Sequence, residues 1–218
     1  GSVQFPRIQG ADVCGRVVGL GTGAPRALLG QRVLIETWIR DWSDPDNIEK
    51  CRYFGSECDG GYAEYTTVDA RNVHSIESPL SDAELATFAT SWATAENMLE
   101  RAVVAQGDVV LVTGASGGVG TALLQLVRRR RAIPVALCNK SKANQLRAIG
   151  ADAILPREPH NLPAAIDQAI GRRSVDVVAD VVGGPLWPQL IDVLRAGGRY
   201  TCAGAIGGPV VEFDLRTF

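Results

Sequence analysis

Nowhere in the 218 residues do apolar side chains run on for the roughly 20 residues a bilayer-spanning helix needs. No signal peptide is visible either, since Val3 to Gly10 is short and mixed in character. Charge of one sign is scarce: 22 basic against 24 acidic side chains leave a net charge of −2. That balance argues against nucleic acid or an anionic membrane surface as the main partner. There is no internal repeat and no low-complexity segment. Cysteines are few, odd in number and scattered, at positions 14, 51, 58, 138 and 202. Such spacing fits reduced thiols in a cytoplasmic protein better than a disulfide framework. What remains is a soluble globular composition, 46% hydrophobic, long enough for one large domain or two small ones. Gly1-Ser2 reads as a cloning scar. The cluster Arg128 to Arg131 falls at the end of an expected helix, where cations complement the dipole; a phosphate or nucleic-acid role is the alternative.

The most informative stretch is Val109 to Gly120, VVLVTGASGGVG. Val109 to Thr113 reads as a buried strand. A glycine-dense turn follows, and apolar residues then recur at helical spacing through Val119, Leu123, Leu124, Leu126 and Val127. Strand, glycine turn and helix open a dinucleotide-binding βαβ unit. A pyrophosphate can approach backbone N–H groups at a helix N-terminus only if no side chain blocks it. Ala115, Ser116, Gly117, Gly118 and Val119 are therefore candidate cofactor-binding residues, and Gly120 would let helix and strand pack closely. Ala115 stands where the fingerprint has its first glycine, which requires a negative φ there.

Before this stretch the sequence predicts strands at Val13–Val18, Gln31–Thr37, Gly60–Val68 and Asn72–Ile76, with a long polar loop from Trp38 to Gly60. Strands without intervening helices suggest an antiparallel, barrel-like domain. Ser81 and Glu84 form a capping box, and helical stretches follow, the second from about Trp92 to Ala105. Beyond the glycine turn, strands at Val135–Cys138, Ala153–Leu155, Val175–Val182 and Arg199–Ala203 alternate with helices at Ser141–Ile149, Leu162–Ile170 and Leu186–Leu194. The pattern is an α/β, doubly wound parallel sheet.

In that fold an acid ending the second strand, roughly twenty residues beyond the glycine turn, holds the adenosine ribose of NAD. Here Asn139, Lys140, Ser141 and Lys142 occupy the place, and none is acidic. Two lysines and two polar groups suit a 2′-phosphate, so NADP(H) is the expected cofactor. The alternative is that these residues only cap the next helix. At the carboxyl edge of the later strands, Val182, Gly204, Ala205 and Ile206 are further cofactor candidates, with Val181 beside them. Tyr53 and Tyr62 are possible-pocket aromatics, and Asp12 could pair with Arg16 or Arg32.

The segments Gly10–Val18, Gly30–Val33, Asp59–Tyr65, the glycine turn, Ala148–Asp152, Val175–Val178 with Val182–Gly184, and Gly197–Arg199 together resemble the medium-chain dehydrogenase/reductase superfamily, of alcohol dehydrogenase and quinone oxidoreductase type. The resemblance spans nearly the whole chain. It implies a partial GroES-like antiparallel β barrel, residues 3–90, that takes the substrate, followed by a Rossmann domain, residues 91–218, with the reaction in the cleft between them. It also implies that Thr94 lies against the nicotinamide. The chemistry implied is hydride transfer between a nicotinamide and a carbonyl, alcohol or activated alkene.

Two departures from the family pattern bear on function. The zinc-dependent branch has Gly-His-Glu where this chain has Gly10-Ala11-Asp12, and a cysteine ligand is replaced by Thr90. Only Cys51 and Cys58 stand where a four-cysteine zinc lobe would be, so no metal is expected. His74 and His160 are read as ordinary surface residues. Family members also carry further chain before Phe5 and after Phe218. The chain therefore reads as a fragment, and no catalytic residue is assigned. The expected partner is a small-molecule substrate, with a homo-oligomer allowed by the exposed fifth strand. A nucleotide-binding protein without turnover is the alternative function, and an enoyl-reductase module of a larger synthase is a third.

Overall fold

The computed structural model describes residues 3–212, 214 and 216. It divides into two units, Gly1–Ser91 and Trp92–Phe218.

In the first unit β1 (Cys14–Arg16) pairs antiparallel with β2 (Arg32–Ile35). Val33 and Ile35 of β2 are buried while Arg32 and Leu34 are less so, the period of two that a half-covered strand requires. β3 (Trp38–Ile39) and β4 (Arg52–Tyr53) form a two-stranded ribbon, and β5 (Val73–Ser75) lies on the other edge of β2. Arg32 fastens this sheet to the segment that follows. Its Nε donates to Asp82 Oδ1 at 2.7 Å, and its two Nη donate to the carbonyls of Ser78 and Leu80 at 2.9 and 2.6 Å.

Two sequence expectations fail in this unit. Trp38–Gly60 is not all loop, because β3 and β4 lie within it. Trp38 and Tyr53 meet edge to face across the ribbon, with ring centroids 4.9 Å apart. Buried Asn72 donates its side-chain amide to the Trp38 carbonyl at 3.0 Å. Conversely, Gly60–Val68 is not a strand. The Gly60, Gly61 and Tyr62 amides donate to the carbonyls of Ile8, Gly10 and Gln9, and no ladder continues beyond them among the described residues. Tyr62 and Tyr65, of opposite parity in the alternation, are both largely exposed, so the segment has no buried face for period-two pairing to serve.

The capping box forms as the sequence predicts. Ser81 accepts from the Glu84 amide, Glu84 accepts from the Ser81 amide, and α1 (Asp82–Ala86) follows. α2 (Phe88–Arg101) lies earlier than Trp92–Ala105. It stops because Val103 takes a left-handed φ of 47°. The Val104 amide then reaches back to Leu99 O and the Val103 amide to Glu100 O, the Schellman pattern.

The second unit is the doubly wound sheet. Its strands are β6 (Val109–Val112), β7 (Ile133–Cys138), β8 (Ala153–Pro156), β9 (Val175–Asp180) and β10 (Leu194–Cys202). All pairings are parallel, in the order β10-β9-β6-β7-β8. The helices are α3 (Gly118–Arg129), α4 (Ala143–Ala148), α5 (Leu162–Ile170) and α6 (Trp187–Asp192). β6 is buried on both faces. Val110 and Val112 join the core that includes α2 and α3, and Val109 and Leu111 join the core that includes α5 and α6. That is why β6 reads as an unbroken apolar run. β10 starts five residues before the predicted Arg199. Leu194 already pairs with Val175, and the register shifts around Gly197, whose φ is 70°.

The arginine cluster ends α3, as the sequence implies. Arg131 takes φ 58°, and Arg130 is clamped by Glu96 at 2.6 Å and Glu100 at 2.8 Å.

Candidate cofactor site

β6 ends at the middle of the sheet, with β7 and β8 on one side of it and β9 and β10 on the other. In open parallel sheets such a reversal leaves a crevice at the carboxyl ends of the strands. Here the glycine turn sits at that reversal. Gly114 takes φ 55°, and the Gly117 amide donates to its carbonyl at 2.9 Å. Ala115 is fully buried and is not among the residues with positive φ, as its place in the turn demands. A Cβ on Gly120 would lie 2.3 Å from Gly114 O and 2.6 Å from Ala115 Cα, so only glycine lets α3 close on the turn. Gly117 caps α3 without any side-chain hydrogen bond. The first-turn amides, which no helix can satisfy internally, are left to whatever enters.

A cavity of about 970 Å³ opens over this turn. Its walls bring together Ser116, Gly117, Asn139, Val182 and Ile206 from the sequence-predicted set, with Val181 beside them. Gly118 and Val119 form the first turn of α3 behind that wall. Lys140, Ser141 and Lys142 are exposed and do not line it. Asn139 accepts from both the amide and the hydroxyl of Ser141 at 3.0 Å, so the local capping role is realised. Gly204 and Ala205 lie in the loop after β10 but not on the wall, and half-buried Thr94, on α2, is not brought to this cavity.

Several residues around the cavity and the sheet edge escaped the sequence reading. Arg157, Glu158 and His160 follow β8 and line the cavity; His160 is exposed, as the sequence reading expects, but faces this opening. Burial pushes up the thiol pKa of Cys138, another wall residue. Asp180, ending β9, is completely buried and accepts from Thr113, Val182, Gly183 and Tyr200. Burial, then the Asp180 hydrogen bond and charge, drive the Tyr200 phenol far above its ordinary range. The sequence shows only that an acid closes β9; its partners Thr113 and Tyr200 lie far away in the chain.

In the first unit, Asp12 pairs with neither Arg16 nor Arg32. Its carboxylate accepts from the Thr90 amide at 2.8 Å, while Arg32 is engaged by Asp82 and Arg16 donates to Gly30 O. Among the described residues no group of three or more His, Cys, Asp or Glu is placed to hold a metal. Tyr53 packs on Trp38, and the Tyr62 ring covers Gly10. Neither lines the 590 Å³ cavity of that unit.

A parallel sheet with a glycine turn at its reversal point, preceded in the chain by an antiparallel unit, defines a dinucleotide-binding architecture. Residues 1–78 match the family described as "Alcohol dehydrogenase GroES-like domain", and residues 118–218 match "Zinc-binding dehydrogenase". The chain belongs to the medium-chain dehydrogenase/reductase superfamily. Prostaglandin reductase-3 of Bos taurus is 29% identical over 95% of this chain and 49% of its own length. A crystal structure from Sinorhizobium meliloti 1021, described as "putative alcohol dehydrogenase", is 49% identical with a TM-score of 0.90, covering 99% of this chain and 59% of that one. A 2-octenoyl-CoA carboxylase reductase solved with NADP and 2-octenoyl-CoA is 29% identical with a TM-score of 0.89, covering 97% of this chain and 54% of that one. The chain spans 64%, 49% and 61% of the length of three curated relatives it matches. No helix among the described residues is long and apolar enough to cross a membrane.

Proposed function

We propose that this chain is the cofactor-binding part, with some of the substrate-binding part, of a zinc-independent, NADPH-dependent oxidoreductase. The observation that carries the reading is the uncapped N-terminus of α3, opening on a cavity at the carboxyl edge of the sheet. The residues fit a nicotinamide dinucleotide. Backbone amides of Ser116, Gly118 and Val119, with Gly117 leaving the approach clear over the buried Ala115, would hold the pyrophosphate, aided by the helix dipole. Asn139, Lys140, Ser141 and Lys142 would take the 2′-phosphate, since the second strand ends without an acid. Val182, Gly204, Ala205, Ile206 and Thr94 are assigned to the nicotinamide end. When bound, the nicotinamide would exchange a hydride with a carbonyl, alcohol or activated alkene. The cavity walls bind and orient it and keep water from the reacting carbon.

Residues 3–90 are assigned to the substrate and 91–218 to the dinucleotide. Zinc independence is supported by Ala11 and Thr90, neither of which has the imidazole or thiolate that zinc prefers. A small-molecule substrate is the proposed partner, in a cytoplasmic setting.

The test is an equilibrium titration with each cofactor. NADPH binding roughly tenfold tighter than NADH is expected, worth about 1.4 kcal/mol; tighter NADH binding sinks the NADPH assignment. Oxidation of NADPH by quinones, enones or aldehydes would support hydride transfer, whereas binding without turnover across that panel favours a nucleotide-binding role alone. About one zinc per chain in elemental analysis would overturn the metal-free reading.

A further inference from the structure

The carboxyl edge of the sheet buries an acid that the cofactor reading leaves without a role. Asp180 closes β9 and has no exposed surface. The Thr113 hydroxyl donates to its Oδ1 at 2.5 Å, and the Val182 amide donates to the same oxygen at 2.8 Å. The Gly183 amide is shared between Oδ1 at 3.1 Å and Oδ2 at 3.2 Å. The Tyr200 hydroxyl donates to Oδ2 at 2.7 Å. Thr113 Oγ1 in turn accepts from the Val181 amide at 3.0 Å. The donors are hydroxyls and amides, not a guanidinium or ammonium. A buried acid is costly without partners, and here they come from three elements at once.

Those elements are the end of β6, the turn after β9, and β10. Gly183 takes φ 66° in that turn, and the Val182 carbonyl accepts from the Gly207 amide at 2.8 Å. The Asp180 network therefore extends to the loop that carries Ile206. Val181, Val182, Gly183, Ile206 and Gly207 line the cavity on the β9 side of the glycine turn. Asn139 and Arg157 line it on the β7 side.

We infer that Asp180 is a positioning residue that locks the turn after β9 to β6 and β10, and so shapes the half of the cavity that receives the nicotinamide end of the cofactor. This inference rests on the cofactor reading above. A carboxylate is suited to the task because it only accepts, with lone pairs enough for every donor around it. The isosteric amide would turn an N–H₂ toward one of them.

The experiment compares NADPH with 2′,5′-ADP, which keeps the phosphorylated adenosine and lacks the nicotinamide half. Dissociation constants are measured calorimetrically on wild type, D180N and Y200F, each checked for folding by circular dichroism. D180N should bind NADPH about tenfold or more weakly, the scale of one or two lost charge-assisted hydrogen bonds, with 2′,5′-ADP changed by less than about twofold. Y200F keeps the carboxylate and should shift NADPH in the same direction by a smaller factor; it carries the test if D180N does not fold. Faster hydrogen exchange at the Val182 and Gly183 amides should accompany both. Equal weakening of the two ligands would show a general structural role and overturn the inference, as would unchanged NADPH affinity. If wild type binds 2′,5′-ADP and NADPH not at all, the nicotinamide reading itself fails.

Discussion

Gly120 leaves no room for a side chain, because the nearest atoms to its absent Cβ are backbone and cannot swing away. Gly120→Ala should therefore cost about 2 kcal/mol or more, through displaced backbone rather than lost contacts, and chemical denaturation would read it. Asp176 makes a different residue-scale case. Burial alone would raise its pKa, but Arg195 at 2.5 Å, the Val109 amide at 2.8 Å and Arg172 at 3.2 Å outweigh burial and hold it below the usual range. Its folded-state pKa is thus lower than its unfolded one. The stabilisation is complete well above the unfolded value of about 3.9, and fades as pH falls through that value toward the folded one. Asp176→Asn should lower the melting temperature at pH 7, and the gap from wild type should narrow between about pH 5 and pH 3. Next to the wall residue Asn139 in the chain, exposed Lys140 and Lys142 offer a charge switch. Replacing both by Glu should weaken NADPH by about tenfold or more while leaving NADH much less affected, as paired titrations would show. The glycines and lysines behind these expectations could be read from the sequence, since each is a local signal. Asp176 and Asp180 could not, because their partners lie far away in the chain: the Val109 amide in one case, Thr113 and Tyr200 in the other.

Elements are governed by their ends. The Ser81–Glu84 box was legible because capping is a matter of residue spacing. The end of α2 was not, since nothing local announces that Val103 will turn left-handed at φ 47°. A β-branched residue is unfavourable there, and its side chain is largely exposed. Val103→Gly should accordingly stabilise the chain by about 1 kcal/mol, seen as a raised melting temperature; a lower one would contradict the left-handed assignment. The strand expected over Gly60–Val68 illustrates the opposite failure. Aromatic alternation suggested pairing, yet strand structure needs a neighbour as well as a pattern, and the ladder stops at Tyr62. β3 and β4 went unseen because two-residue strands carry no period to detect.

Across the whole molecule, the doubly wound unit was the more legible of the two. Its central strands β6, β7 and β9 are buried on both faces and read as largely apolar runs between helical spacings, whereas the edge strand β10 has no fully buried residue. The first unit has short strands and a small core of Ile35, Ile39 and Phe54, so its pairing was harder to read. The candidate site follows the same division: the glycine turn was legible, while the loop Arg157–His160 and the Asp180 network emerged only once strands were placed side by side. The central claim is that the turn after β6 cradles the pyrophosphate of a nicotinamide dinucleotide. Its most direct measurement is an NADPH titration of wild type beside Gly117→Asp, which would set a carboxylate at the N-terminus of α3. Saturable binding by wild type, with affinity lost in the variant, is the expected result; equal binding by both, or none by wild type at millimolar concentration, would contradict it.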